Sequence, residues 1–213
     1  LKDFIPISQL AIVPLFLAAN PNFPAQTAAD LVRMAKAQPG KINYASAGSG
    51  VTSHLTMELF KHTQGIDLVH VPYKGSPAAV TDVIGGQVPV LIDTSAALIP
   101  HGRTGKLRLL AVASKSRNAA APQVPTMAEA GLGNFEAPAW IGIAAPKGTP
   151  KEITEMVYKA LSVGWIDATD VREQLTGLGA EPAISRPDEF AKYIQDEIDK
   201  WALAVKLSGA RVY

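Results

Sequence analysis

The 213-residue chain contains no cysteine. That absence excludes thiol catalysis, thiolate metal sites and disulfides, and it leaves the redox compartment open. Charge of one sign is also lacking. Twenty basic residues against 19 acidic ones leave a net +1, so nothing points to nucleic acid or to insertion in a membrane. No apolar run approaches ~18 residues, and nothing reads as a membrane-spanning segment. The phosphate, nucleophile-elbow, zinc and dinucleotide motifs GxxxxGK(S/T), GxSxG, HExxH and GxGxxG are all missing. The four histidines show no metal-ligand pattern, although His54 and His62, eight apart, could share a helix face. His54 reads as a hydrogen-bonded structural residue. No signal peptide is visible and the chain opens on Leu1, so the expectation is a sequence processed, trimmed or incomplete at its N-terminus.

What is present is a core and a rhythm. Hydrophobic residues make up 47% of the chain and charged ones 18%, enough to bury a core. Residues 1–149 carry a net +4 and residues 150–213 a net −3. Ile5 to Asn20 is apolar and β-branched enough for a strand, and Pro14 within it implies an edge or a bend. Thr27 reads as the N-cap of a helix carrying Leu31, Met34 and Ala35, which Pro39-Gly40 ends. A strand over 41–46 and a helix over 52–63, with Leu55, Leu59 and Phe60 on one face, follow. Next come a strand over 67–71 and a helix over 76–84, capped by Ser76 with Pro77 at its first position. A strand over 88–92, a short helix over 95–101 and a strand over 107–113 complete the run. Units of this length predict a mainly parallel sheet covered by helices. Residues 115–135 are looser and mark a soft boundary. A strand over 135–145 and helices over 150–161, 168–178 and 187–207 close the chain. The last places Phe190, Tyr193, Ile194, Ile198, Trp201 and Val205 on one stripe.

In an open parallel sheet, ligands sit at the carboxyl ends of the strands. Three loops there are small and polar: Ser46-Ala47-Gly48-Ser49-Gly50, Tyr73-Lys74-Gly75-Ser76 and Asp93-Thr94-Ser95. Each leads into a helix, whose first turn offers unpaired N–H groups and about half a positive charge to a carboxylate. Glycine lets the backbone approach an anion, so Gly48→Val is expected to abolish binding and leave the fold largely intact. Plainer readings stand beside these. Glycine-rich turns occur throughout α/β proteins, Lys74 suits a solvated turn, and Asp93 suits a helix cap. Trp140 suits core packing or the wall of a cleft, and Trp201 suits the core. No arginine lies in the three loops, so no bidentate clamp marks a second carboxylate. No acid–base pair stands close to them either, which argues against an enzyme.

Five blocks occur together and in order: PGKINYASAGSGVTSHLTMELF, DLVHVPYKGSPAAVTDVIGGQV, GKLRLLAVAS, VPTMAEAG and W-x-G-x-x-A-P-x-G-T-P. In this combination the chain resembles the extracytoplasmic solute receptors of tripartite tricarboxylate transporters, the Bug receptors, from Asp3 through the C-terminal helix. The resemblance implies an α/β fold of the type II periplasmic-binding kind, two lobes joined by crossing strands. It implies a non-enzymatic, monomeric periplasmic receptor without a cofactor, which closes on a small carboxylate and delivers it to a membrane permease. A sensory module of the same fold, feeding a sensor kinase, is the alternative. Carried over motif by motif, the ligand-binding residues are Ser46, Ala47, Gly48, Ser49, Gly50, Tyr73, Lys74, Gly75, Asp93, Thr94, Ser95 and, where the chain returns toward the first lobe, Trp140. Family receptors begin with a strand and a glycine-rich loop that this sequence does not show, so the first lobe is expected to be incomplete. Residues 1–17 are then the crossing segment, 18–125 the second lobe, and 126–213 the return strand and C-terminal helices of the first.

Overall fold

A computed structural model describes residues 2–167 and 169–210. Pro14 splits the first extended run in two. β1 (Phe4–Val13) is the central strand of an antiparallel sheet ordered β7-β1-β8, with β7 at Ala139–Pro146 and β8 at Glu181–Pro182. β2 (Leu15–Ala19) enters a five-stranded sheet ordered β4-β3-β5-β2-β6. Its other members are β3 (Asn43–Ser46), β4 (Val69–Pro72), β5 (Val90–Thr94) and β6 (Arg108–Val112). Pro14 is therefore a bend and not an edge position, since the strands on either side of it each have two neighbours. It has no N–H to give a ladder, and its carbonyl accepts the Ser95 N–H at 2.8 Å.

β3, β4 and β5 run parallel, whereas β2 runs antiparallel to β5 and β6. Four of the five strands therefore point the same way, as expected of a mainly parallel sheet, and β2 alone runs against them. The reason is topological: β2 arrives directly from the other sheet through Pro14, without the crossover helix that sets a parallel direction.

Both faces of the five-stranded sheet are covered, as the fully buried LFLAA run of β2 requires. Leu15, Leu17 and Ala19 share one face with Tyr44, Val90 and Ile92, beneath α1 (Ala28–Ala37) and α2 (Thr52–Gln64). Phe16 and Ala18 share the other with Ala45 and Leu91, beneath α3 (Ser76–Ile84) and α4 (Ser95–Arg103). Thr27 caps α1 as expected, in a reciprocal box: Thr27 Oγ1 accepts the Asp30 N–H and Asp30 Oδ2 accepts the Thr27 N–H, each at 3.0 Å. α3 differs from expectation by one residue. Its N-cap is Gly75, at φ 106° where a side chain is strained, and Ser76 is the first helical residue.

α5 (Lys151–Asp167), α6 (Thr169–Gly177) and α7 (Pro187–Ser208) follow β7. The expected helix start at Ala168 lies outside the described residues. α7 joins the two sheets. Its Phe190 is buried against β7, and its Trp201 packs on the core beneath α2. The buried stripe runs through Phe190, Glu197 and Ala204, while Ile198 and Val205 are exposed. Helical spacing from Phe190 leads to those positions whatever their polarity. Glu197 is tolerated inside because Trp201 Nε1 and Lys200 Nζ donate to it at 2.8 and 3.0 Å. No helix among the described residues is long and apolar enough to cross a membrane.

Candidate functional site

The three predicted loops all leave the same edge of the sheet, because they follow the parallel strands β3, β4 and β5. Loops 46–50 and 73–75 are tied together. Tyr73 N–H donates to Ser46 O at 3.0 Å and Gly75 N–H to Ala47 O at 2.9 Å. Loop 93–95 joins them through Asp93, whose carboxylate the Ser76 hydroxyl approaches.

Loop 46–50 is more self-contained than its glycines imply. Ala47 N–H donates to Ser53 Oγ, Gly48 N–H to Ser46 Oγ and Gly50 N–H to His54 Nδ1, at 3.0, 3.2 and 3.0 Å. Gly48 sits at φ 150°, where a side chain is strained, and a Cβ there would meet Tyr73 O at 3.4 Å. Gly48→Val therefore carries a folding cost that the sequence did not reveal. The donors left over lie just beyond. The first helical bond of α2 runs from Leu55 N–H to Val51 O, which leaves the N–H groups of Thr52, Ser53 and His54 outside the ladder. Its N-cap, Val51, makes no side-chain cap, and no acidic residue occupies its first turn. The start of α2 is thus an uncompensated positive helix end.

Of the other predicted residues, Ser49 and Lys74 are exposed, and Thr94 is half-buried. Tyr73 turns away from the loops. Its hydroxyl donates to Asp82 Oδ2 at 2.8 Å, and desolvation, then Asp82, push it up to about 12. Asp93 is buried. Its Oδ1 accepts the Thr94 N–H at 2.7 Å, whereas Oδ2 has no hydrogen-bond partner. Desolvation raises this carboxyl above the ordinary aspartate range, against lowering by the Ser76 and Thr94 groups. It does not cap α4, whose N-cap is Thr94. Ser95 is fully buried beneath Gly179, where a Cβ would lie 2.8 Å from its own, and its hydroxyl also has no partner.

Trp140 stands apart from these loops on β7, and of their predicted residues Gly50 lines a cavity with it. Its indole meets Phe190 and Tyr193 edge-on, with centroids at 5.5 and 6.0 Å. It walls a cavity of about 450 Å³ together with Gly50, Val51, Thr52, Leu55 and Trp201. Trp201 was read from sequence as core alone. The clue to its second role is its place two turns beyond Tyr193 on the same helix face. Sequence reasoning also passed over His70, whose ring lies under loop 46–50. Among the described residues no cluster of three or more histidines and carboxylates could hold a metal.

A family model described as the tripartite tricarboxylate transporter family receptor matches residues 1–209. The Bordetella pertussis protein BugT is 37% identical over 212 residues, covering 100% of this chain and 65% of that protein. The chain thus spans about two thirds of this relative's length. Among solved structures, R. palustris Rpa4515 with adipate aligns with a TM-score of 0.88 at 33% identity, over 98% of this chain and 69% of that one. MatC from Rhodopseudomonas palustris, with bound malate, aligns at 0.84 and 32%, over 95% and 69%.

Proposed function

The chain belongs to the tripartite tricarboxylate transporter receptors, a family of substrate-binding receptors and not of enzymes, and from that premise we propose that it captures a small carboxylate in the periplasm and presents it to a membrane permease. One observation carries the reading. The uncapped start of α2, with its free first-turn N–H groups, opens onto a cavity whose far wall, Trp140, belongs to the other sheet. An anion held at the helix end and a body lying against the indoles touch both units at once. Solved relatives hold adipate and malate, which supports a dicarboxylate for this chain. Loops 46–50, 73–75 and 93–95 form the edge on which it rests. Residues 18–125 form the ligand-binding lobe, 1–17 the crossing segment, with the sheet switch at Pro14, and 126–213 the return strand and C-terminal helices.

The mechanism is a population shift. A ligand favours closure only by the contacts it makes there and not in the open form. Closure about the two connections between the sheets, at Pro14 and between β6 and β7, then changes the surface offered to the permease. A thermal melt against pools of C4–C6 dicarboxylates, monocarboxylates and aromatic carboxylates, with matched alcohols as controls, tests this. Ligand at a hundred times Kd stabilises by about 2.7 kcal/mol, a rise of roughly 5–10 °C in a chain of this size. A rise with one acid pool and none with its alcohol is expected. A flat response to every acid at millimolar concentration removes the carboxylate site.

A further inference from the structure

Loop 46–50 stands on three stacked rings. β3 and β4 pair with Tyr44 opposite His70, and the two rings lie 4.9 Å apart at 19°. From α2, His54 lies over His70 at 3.8 Å and 7°. Each imidazole holds one end of the loop. His70 Nε2 is 2.6 Å from Ser46 Oγ, and His54 Nδ1 accepts the Gly50 N–H at 3.0 Å. We propose that the His54–His70 pair positions loop 46–50, and that charging His54 releases the loop at its Gly50 end.

A nitrogen that accepts the Gly50 amide bears no proton, so the single proton of His54 is on Nε2. Protonating Nδ1 aims an N–H at the Gly50 N–H and turns that hydrogen bond into a repulsive contact. The Ser46 link survives either state of His70, because a hydroxyl both donates and accepts. The loop is therefore released at Gly50 and held at Ser46. Charge on one ring opposes charge on the other across the stack. The titratable groups around the pair are Glu58 and Lys61 on α2 and Tyr44 on β3. Glu58 Oε1 accepts from Tyr44 at 2.6 Å and from Lys61 at 2.8 Å, so the lysine offsets its pull on an imidazole proton. Burial holds both rings below the ordinary histidine range, His70 at about 4.

The consequence for ligand capture rests on the proposed carboxylate site, whereas the positioning itself is testable without ligand. NMR of the free chain from pH 8 to 4 reads the Gly50 amide and both rings. The Gly50 shift is expected to follow the His54 titration, with a midpoint below the ordinary histidine range, and its exchange to quicken as the ring charges. His54→Gln keeps an acceptor that does not titrate, and should give a Gly50 signal flat with pH. His54→Leu removes the acceptor and should show the released amide at every pH. A Gly50 amide indifferent to the titration of His54 overturns the proposal. A C4–C6 dicarboxylate pool then separates the two readings, with His54→Gln controlling for titration of the acids themselves. Relative to that variant, binding to the native chain should weaken at least tenfold across the His54 transition, and constant relative affinity overturns the positioning role. No binding at any pH, with Gly50 still following His54, sinks the carboxylate site and leaves the positioning supported.

Discussion

Gly142 and Gly164 should respond to alanine with opposite signs. A Cβ on Gly142 would overlap Phe190 Cζ and lie 2.8 Å from Cε1. That ring is 1% exposed and braced edge-on by Trp140, so it has nowhere to swing. Overpacking of this kind costs about 1–3 kcal/mol. Restricting the unfolded chain returns about 0.4–1 kcal/mol of it, which leaves a net loss of about 1–2. At 2–4 °C per kcal/mol for this size, Tm should fall by roughly 2–8 °C. Gly164 sits exposed within α5, and no described atom lies within 4 Å of its added Cβ. There alanine should gain about 1 kcal/mol of helix propensity. Urea titrations read at unchanged slope measure both. A double-mutant cycle locates the cause: Phe190→Ala alone costs about 3–5 kcal/mol, and beside it the Gly142→Ala methyl fills space that the ring has left. The double variant should then be more stable than the sum of the singles by at least about 1 kcal/mol. Gly142→Ala as stable as the native chain, or a cycle additive within about 0.5 kcal/mol, would mean that α7 does not bear on β7 here. Trp140 would then have no fixed support.

Two further substitutions probe the loop edge. Gly48→Val should cost about 1–3 kcal/mol through its φ of 150° and should remove the carboxylate-induced rise in Tm; an unchanged rise takes this loop out of the site. Asp93→Asn should stabilise the chain at pH 8 and leave it nearly unchanged at pH 4. The Asp93 carboxyl is raised in the folded state, so its contribution is complete below the unfolded value of 3.8 and is lost as pH climbs through the folded value. A lower Tm for the variant at pH 8 would show that the charged form is stabilised where it lies.

Local chemistry made much of the fold readable. Thr27 and Asp30 name a helix start without help from the rest of the chain, and so does Pro77 near the start of α3. The direction of β2 was not readable, because LFLAA is buried on both faces whichever way its neighbours run. The face of α7 was misread for a related reason. Choosing apolar residues selected Ile198 and Val205, whereas the anchors Phe190 and Trp201 impose a face that contains Glu197 and Ala204. At the loop edge the glycines and hydroxyls were visible, but not that the amides of Ala47, Gly48 and Gly50 are already engaged. The stack of Tyr44, His70 and His54 depends on strand register and on a helix passing above it, and neither leaves a signature in local spacing.

Several local penalties gather at that same edge. Gly48 and Gly75 hold backbone angles that side chains avoid, Asp93 keeps a carboxylate without a partner for Oδ2, and two imidazoles are stacked and denied their protons. Each sits within three residues of a strand end or in the first turn of the helix that follows. An edge selected for stability alone has cheaper solutions at every one of these positions: an ordinary turn for Gly48, an asparagine for Asp93, apolar rings for the histidines. The opposite margin of the same sheet shows such economy, for there the Asn20 amide simply donates to the last carbonyls of α3 at 2.8 and 3.0 Å. Buried charge, stacked imidazoles and two constrained glycines gathered at the carboxyl ends of β3, β4 and β5 fit the proposed anion site. Donors fixed before the ligand arrives are not reorganised when it binds, so their cost is met in folding and not in affinity.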